Sequence, residues 1–139
     1  MNKKKILLVG GSGFIGHNLA IYLKNRGHQP YVVDSLSVNN LLSYTNEEVK
    51  NKILYKAILN NRLDLLDKEQ IKISVQDSRD NQAIWKLYEE INPDIVIHLA
   101  AQIDVERSIN DPKETFDINV KGTENLLLSC VENKILNFI

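Results

Sequence analysis

Residues 5–16 read KILLVGGSGFIG, an apolar run that leads directly into a glycine-rich turn. The apolar run has the composition of a buried strand, which we place at Lys5–Gly10. A helical pattern follows, and a second apolar run ends in Asp34. This order of strand, turn, helix and strand predicts a βαβ unit over the first 34 residues.

The predicted turn has the chemistry of an anion site. The first backbone N–H groups of a helix have no partners inside it, and with the helix dipole they attract a phosphate. A Cβ atom at Gly10 or Gly13 would hinder the turn or keep a phosphate away, and one at Gly16 would push the helix off the sheet. Asp34 follows Gly16 by 18 residues, where a carboxylate can accept hydrogen bonds from ribose hydroxyls. The stretch therefore predicts a dinucleotide site; the other interpretation is a turn that binds nothing.

Length and composition indicate one ordinary globular domain over residues 1–139. The chain is 43% hydrophobic and 25% charged, and its net charge of −1 gives no reason to expect nucleic acid as a partner. No apolar run is long enough for a membrane span, and the basic N-terminus is too short for a signal peptide, so we expect a cytoplasmic protein. Cys130 is the single cysteine, and we expect a buried, unreactive thiol rather than a nucleophile. We predict no metal site.

Apolar runs alternate with helical patterns along the chain, which predicts a parallel sheet with helices on both faces. The fold class is therefore α/β, a doubly wound sheet of Rossmann-like βαβ units that stops at about the fifth strand. The further strands are expected at Pro30–Asp34, Ile71–Gln76, Asp94–His98 and Ile135–Ile139, and the main helices at Gly13–Arg26, 80–92 and 112–133. Residues 99–110 are expected to form a loop.

Apolar residues at helical spacing predict which face of each helix is buried. In the first helix this face is expected to carry Ile15, Leu19, Tyr22 and Leu23. In the last helix it is expected to carry Phe116, Val120, Thr123, Leu127 and Cys130.

The connection over residues 35–72 is unusually long. Thr45 and Glu48 have the spacing of a capping box, so we expect a helix from about 46 to 60 that extends past Leu66. The simpler interpretation is an extra surface helix. The other is a cover over the adenosine end of the site, or a contact with a partner; we favour the surface helix.

The interval of three residues between Gly10 and Gly13 in VGGSGFIG resembles the short-chain dehydrogenase/reductase superfamily. The stretch is most similar to its extended branch, the NAD-dependent sugar-nucleotide epimerases and dehydratases. Four later segments resemble the same branch, namely VQDSRD at 75–80, VIHLAAQ at 96–102, DVERSINDP at 104–112 and NVKGTENLL at 119–127. The resemblance spans nearly the whole chain and is weakest over the 35–72 connection.

The resemblance implies a set of cofactor contacts. Asp77 would accept a hydrogen bond from the adenine amino group beside Ser78, and Asn119 would lie near the nicotinamide. His98 would be a packed histidine without acid–base work, and Arg107 would either meet a substrate phosphate or lie exposed. The residues expected to bind NAD are Gly10, Gly13, Phe14, Ile15, Gly16, Asp34, Ser35, Asp77, Ser78, Leu99, Ala100, Ala101 and Asn119.

The expected cofactor is NAD rather than NADP. Asp34 would repel a 2′-phosphate, and residues 35–40 contain no Arg or Lys that could receive one.

The family's reaction depends on a Tyr-x-x-x-Lys pair that activates a sugar hydroxyl, and these 139 residues contain no such pair. We therefore predict no catalytic residue here and expect the NAD-binding part of a UDP-sugar 4-epimerase-like enzyme. The alternative is a dinucleotide-binding module without catalysis. The resemblance also implies a nucleotide-sugar substrate for the full enzyme and a homodimer formed through helix 112–133. A sheet that stops at the fifth strand predicts weak stability or self-association of this chain alone.

Overall fold

A computed structural model describes residues 2–37 and 51–139. The strands are β1 Lys5–Val9, β2 Gln29–Asp34, β3 Ile73–Val75 and β4 Ile95–His98. The helices are α1 Phe14–Asn25, α2 Lys52–Lys68, α3 Asn81–Ile91, α4 Val105–Asn110, α5 Pro112–Phe116 and α6 Gly122–Glu132, with a π-helical turn at Asp117–Lys121. Among these residues, no helix is both long enough and apolar enough to span a bilayer.

The four strands form one parallel sheet in the order β3-β2-β1-β4. Leu7 in β1 pairs with Tyr31 of β2 on one side and with Val96 of β4 on the other. β1 is therefore central, and the predicted doubly wound α/β fold is confirmed. The strand order reverses beside β1, which opens a crevice at the carboxyl ends of β1 and β4.

Helices cover both faces of the sheet because β1 is apolar on both. Leu7 and Val9 pack with Tyr88 of α3 and with Leu126 and Cys130 of α6. On the opposite face, the cluster comprises Ile6, Leu8, Ala20, Val32, Leu66 and Ile71, which brings in α1 and α2.

Cys130 is buried, as predicted, with its Sγ 3.8 Å from the hydroxyl of Tyr88. Burial raises the pKa of the Cys130 thiol and also that of Tyr88. The thiol therefore stays protonated and unreactive at neutral pH.

The prediction of which residues form the buried face of α1 is wrong in part. Ile15 and Tyr22 are exposed, whereas Gly16 and Ala20 are buried. The reason is the turn, because a Cβ atom at Gly16 would lie 2.5 Å from the Cα of Gly11. This close approach fixes the rotation of α1 and places Ile15 on its outer side.

The segment after β4 is more helical than predicted. Residues 99–110 were expected to form a loop, but α4 occupies 105–110, and the Asp104 side chain caps it by accepting from the Arg107 N–H at 2.7 Å.

The predicted continuous helix over 112–133 is interrupted by the π-helical turn at 117–121. A π-helical turn inserts an extra residue and so shifts the helix face. Phe116, Val120 and Leu127 are exposed, contrary to prediction. The residues of α6 that face the core are Gly122, Leu126, Ser129 and Cys130, of which only Cys130 was predicted.

The helix of the 35–72 connection is described from Lys52 to Lys68, so it extends past Leu66 as expected. Its predicted first residues and the capping box of Thr45 and Glu48 lie outside the described residues. Lys24 Nζ donates to the Glu69 carbonyl, which ties the end of α2 to the end of α1.

The last residues align in parallel with β4 through a single bridge between Val96 and Phe138. The Val96 N–H donates to the Asn137 carbonyl at 2.9 Å, and the His98 N–H donates to the Ile139 carbonyl at 2.8 Å. The predicted fifth strand is thus present as a bridge beside β4.

Candidate functional site

A cleft opens where the carboxyl ends of β1, β2 and β4 meet the loop after β3. Ligands of open α/β sheets bind in this position. The cleft is lined by Val9, Gly10, Gly13, Phe14, Asp34, Ser35, Ser37, Arg62, Gln76, Asp77, Ser78, Arg79, Leu99, Ala100, Ala101, Gln102, Ile103, Arg107 and Ile118.

The glycine turn forms the floor of the cleft. Gly10 has a φ of +77°, and a Cβ atom there would lie 2.6 Å from the backbone nitrogen of Ala100. The N–H of Gly10 donates to the Val33 carbonyl at 2.8 Å, and the N–H of Gly13 donates to the Gly10 carbonyl at 3.2 Å. The turn therefore lies tightly against the end of β4, which a side chain at position 10 would prevent.

The N-terminus of α1 is open toward the cleft. Gly13 is its N-cap and offers no side chain to the free N–H groups, and the first turn of α1 contains no acidic residue. A Cβ atom at Gly13 would meet only the Gly10 carbonyl, at 3.2 Å, so the glycine leaves room on the cleft side. These features fit a phosphate-bearing ligand, because the uncapped N–H groups and the helix dipole both attract an anion.

Asp34 joins the glycine turn to the segment after β2. Its Oδ2 accepts from the Ser12 N–H at 2.9 Å, and its Oδ1 accepts from the Leu36 N–H at 2.8 Å. A carboxylate has about four lone pairs, so this half-buried group keeps acceptor capacity for hydroxyl donors.

Asp77 is paired within its own loop. The guanidinium of Arg79 donates to both of its carboxylate oxygens, with Nη2 2.6 Å from Oδ2 and Nε 3.0 Å from Oδ1. These hydrogen bonds lower the pKa of Asp77. The residue is therefore an ionised acceptor that already has a partner, and an adenine amino group would have to share it with Arg79.

The segment 119–125 holds the loops on both sides of the cleft. Asn119 accepts from the Gln102 N–H at 2.8 Å and donates to the Gln102 carbonyl at 3.0 Å. Asn125 Nδ2 donates to the carbonyls of Ser78 and Arg79 at 3.1 and 3.0 Å. One helical unit thus fixes the loop after β4 and the loop after β3.

Gly122 is needed for this arrangement, because a Cβ atom there would lie 2.6 Å from the Oγ of Ser78. In the sequence pattern Asn-Val-Lys-Gly-Thr-Glu-Asn, the first and last residues, Asn119 and Asn125, therefore bind the two loops, and Gly122 makes room for Ser78.

His98 is packed and hydrogen-bonded, which is the arrangement expected for a histidine without acid–base work. The Thr123 hydroxyl donates to the Asn119 carbonyl at 2.7 Å and so accepts from His98 Nε2 at 3.0 Å. His98 Nδ1 is then the unprotonated nitrogen, and it has no partner among the described residues. Burial lowers the pKa of His98, so the ring is neutral at neutral pH.

Most of the predicted cofactor residues lie in the cleft. Its lining includes Gly10, Gly13, Phe14, Asp34, Ser35, Asp77, Ser78, Leu99, Ala100 and Ala101. Ile15 and Gly16 belong to α1 and are outside this lining. Asn119 is also outside the lining, and both polar atoms of its amide are used on the backbone of Gln102. Within the described ranges, no cluster of His, Cys, Asp and Glu could hold a metal ion.

Comparison with known proteins decides the family. The sequence profile of the "NAD dependent epimerase/dehydratase family" matches residues 6–139. The chain belongs to this family.

Curated members of the epimerase/dehydratase family are identical to this chain at about a third of the aligned positions. A UDP-glucose 4-epimerase of Rhizobium meliloti is 32% identical over 139 residues, which are 100% of this chain and 35% of the relative. A dTDP-D-glucose 4,6-dehydratase of Dictyostelium discoideum is 31% identical over 136 residues, which are 98% of this chain and 28% of the relative. The chain therefore spans about a third of the length of these relatives.

Solved structures of family members superimpose on nearly the whole chain. The UDP-Glc/GlcNAc 4-epimerase of Campylobacter jejuni is 31% identical with a TM-score of 0.72, covering 97% of this chain and 36% of the relative. The UDP-glucose 4-epimerase of Thermus thermophilus, in complex with NAD, is 26% identical with a TM-score of 0.71, covering 96% and 36%.

Sequence reasoning missed several polar residues of this family member's cleft. Gln102 lines the cleft and is largely buried, and its Nε2 has no partner among the described residues. Gln102 directly follows the predicted site residues Ala100 and Ala101, so its place in the sequence could have indicated that it belongs to the site. Arg62 also lines the cleft but comes from α2. No local signal points to Arg62, because its position depends on how α2 packs.

Proposed function

We propose that this cleft binds NAD and that the chain is the cofactor-binding part of a sugar-nucleotide epimerase or dehydratase. The observation that carries the proposal is the presence of the uncapped α1 N-terminus and the Asp34 carboxylate in one cleft. These are the two groups that a diphosphate and a ribose require. The family membership supports the choice of NAD.

In this proposal each residue has a defined task. The N–H groups at Phe14 and Ile15 bind the diphosphate, while Gly13 and Gly16 keep the turn close to it. Asp34 and the neighbouring Ser35 accept hydrogen bonds from the hydroxyl groups of the adenosine ribose.

The other loops bind the two ends of the cofactor. Asp77 and Ser78 receive the adenine, and the small side chains of Ala100 and Ala101, after Leu99, leave space for the rest of the dinucleotide. Asn119 acts through Gln102 and positions the loop after β4. The nicotinamide, when bound, supplies reversible hydride transfer.

The same residues favour NAD over NADP. The Asp34 carboxylate already accepts two backbone hydrogen bonds and stays in the cleft as a negative charge. A 2′-phosphate placed on the ribose would be repelled by it.

The reaction proposed for the whole enzyme is a UDP-sugar 4-epimerase-like exchange by transient hydride transfer to NAD. The similarity to UDP-glucose 4-epimerases supports this choice, although dTDP-glucose dehydratases are similar to the same degree. The alternative is a dinucleotide-binding module without catalysis, since the 139 residues contain no Tyr-x-x-x-Lys pair. We also propose a cytoplasmic location and a homodimer formed through helix 112–133.

Titration of the chain with NAD by isothermal calorimetry tests the cofactor proposal. Gly13→Val should abolish measurable binding, because the added side chain enters the space beside the α1 N-terminus. Ala57→Val is the matched control, since Ala57 is exposed on α2 and outside the cleft lining. Unchanged NAD affinity in Gly13→Val, or no NAD binding by the wild-type chain, would contradict the proposal.

A further inference from the structure

A guanidinium from the 35–72 connection reaches the mouth of the cleft. Arg62 lies in α2, and its side chain lines the cleft together with Asp34, Ser35 and Ser37. Its Cζ lies 5.8 Å from the centre of the ring of Phe14, the first residue of α1. Arg62 is therefore beside the helix end that the proposed function assigns to the diphosphate.

The alignment of α2 with α1 explains this position. The contact between Lys24 and the Glu69 carbonyl holds the C-terminal ends of the two helices together. Both helices follow strands of the same parallel sheet and pack on the same face, so they run in the same direction. Arg62 precedes Glu69 along α2, and at a rise of 1.5 Å per residue it lies roughly 10 Å back from the joined ends, beside the first turns of α1.

Packing fixes the rotation of α2. Leu66 is fully buried in the cluster that contains Ala20, and Leu59 is also buried. Since the Cα–Cβ bonds of a helix tilt toward its N-terminus, the Arg62 side chain leans toward the cleft end of the sheet.

Arg62 differs from the other arginines of the cleft because it has no ion-pair partner among the described residues. Arg79 is paired with Asp77 at 2.6 Å, and Arg107 is paired with Glu114 at 2.8 Å. Arg62 makes no ion pair or hydrogen bond to any residue of 2–37 or 51–139. Its side chain instead contacts the ring of Phe14, which is itself 71% exposed.

We propose that Arg62 is a phosphate-binding residue of this cleft and donates to the diphosphate of the bound dinucleotide. The proposal rests on the proposed function and adds to it a residue from the connection. The planar guanidinium has five N–H donors in a fork that matches a phosphate, and its contact with the Phe14 ring limits the freedom that binding would remove. The α1 N-terminus and Arg62 then hold the diphosphate from two sides.

A phosphate near Arg62 could come from the diphosphate or from a ribose 2′-phosphate. The position of Arg62 beside Phe14 favours the diphosphate, since Phe14 begins the helix whose N–H groups attract it. The Asp34 carboxylate in the same cleft disfavours a 2′-phosphate.

The test is calorimetric titration of the wild-type chain, Arg62→Gln and Arg62→Lys with NAD. Arg62→Gln should raise the Kd for NAD about tenfold, and Arg62→Lys should recover part of the loss because it restores the charge without the fork. Arg26→Gln is the matched control, since Arg26 is an exposed arginine 5.0 Å from the Tyr22 ring and outside the cleft lining. Its Kd should equal that of the wild type. Circular dichroism melts confirm that each variant is folded.

Titrations with ADP, adenosine and NADP identify the group of the ligand that Arg62 contacts. In Arg62→Gln, ADP should bind about tenfold more weakly, while the affinity for adenosine should not change. An equal loss for adenosine, or a loss confined to NADP, would overturn the assignment to the diphosphate. If the wild type binds NAD and Arg62→Gln binds it equally well, this inference fails while the proposed function stands. No NAD binding by the wild type overturns the proposed function instead.

Discussion

At the residue scale, Asp34 has a structural task in addition to the ribose contact that the sequence predicts. Its carboxylate accepts the N–H of Ser12 in the glycine turn and the N–H of Leu36, which has a φ of +55°. It therefore shapes the two segments between which the proposed ribose lies. A carboxylate suits this position because it accepts on both oxygens without donating.

Asp34→Asn keeps the size of the side chain but replaces one acceptor oxygen with a donor. We expect the Kd for NAD to rise about tenfold and the preference for NAD over NADP to narrow, because the charge that repels a 2′-phosphate is gone. The measurement is the ratio of the Kd values for NADP and NAD in wild type and variant. An unchanged ratio would show that Asp34 does not select the cofactor.

At the element scale, the π-helical turn decides which residues of the last helical unit face inward. Asp117 opens this turn and is held by two lysines, with Lys113 Nζ 2.7 Å from Oδ2 and Lys121 Nζ 2.6 Å from Oδ1. The hydrogen bond from Lys113, followed by that from Lys121, lowers the pKa of Asp117 from 3.8 to about 2. The carboxylate therefore helps to keep the turn in place near neutral pH.

This pairing predicts an acid-dependent loss of stability. A carboxyl group whose pKa is lower in the folded state contributes stability above its unfolded pKa and loses it as the pH falls through the folded value. For Asp117 this window lies between pH 3.8 and about 2.

In Asp117→Asn, the melting temperature should fall less steeply than in the wild type over this window. Thermal melts followed by circular dichroism at a series of pH values measure the slope. Glu124→Gln is the control, because Glu124 is an exposed carboxylate of α6 with no ion pair among the described residues. A wild-type slope in Asp117→Asn would assign the acid sensitivity to the other carboxyl groups whose pKa is lowered, those of Asp77 and Asp94.

The sequence predicted helices correctly where neighbouring residues determine the start of the helix. The predicted helix starts at 80 and 112 both coincide with capping residues. Asp80 caps α3 by accepting from the Ala83 N–H, and Asp111 with Pro112 opens α5. The π-helical turn could not be predicted, because it accompanies long-range contacts such as the bonds between Asn119 and Gln102. The exposure of Ile15 was missed for the same reason, since the approach of Gly16 to Gly11 sets the face of α1.

At the scale of the whole molecule, the cleft was predictable because parallel strands bring their carboxyl ends to one edge. Gly10, Asp34 and Ala100 are far apart in sequence but line one cleft. The contribution of Arg62 was not predictable, because it depends on how α2 packs against α1.

The outer side of α6 is strongly apolar. Leu127, Leu128 and Val131 are 43%, 49% and 75% exposed. Exposed apolar patches of this kind typically mark contacts with another molecule. The proposed homodimer through helix 112–133 would cover them with the same surface of a second copy.

A double variant, Leu127→Glu with Val131→Glu, should raise the dimer Kd at least about tenfold, since charges would replace apolar contacts in the covered surface. Sedimentation equilibrium over a range of concentrations measures this constant. The matched control is Ile109→Glu, which places the same charge on an exposed apolar residue of α4. A wild-type chain that stays monomeric and melts cooperatively at all concentrations would contradict both the dimer and the expected self-association.

The helical unit formed by the π-helical turn and α6 connects the cleft with an exposed apolar surface. Asn119 and Asn125 hydrogen-bond to the loops that form the walls of the cleft, and the outer side carries the apolar residues Leu127 and Val131. If pairing of the apolar side changed the affinity of the cleft for a dinucleotide, thermodynamic reciprocity would require the dinucleotide to change the strength of pairing by the same factor. Occupancy of the cleft would then affect assembly as much as assembly affects occupancy.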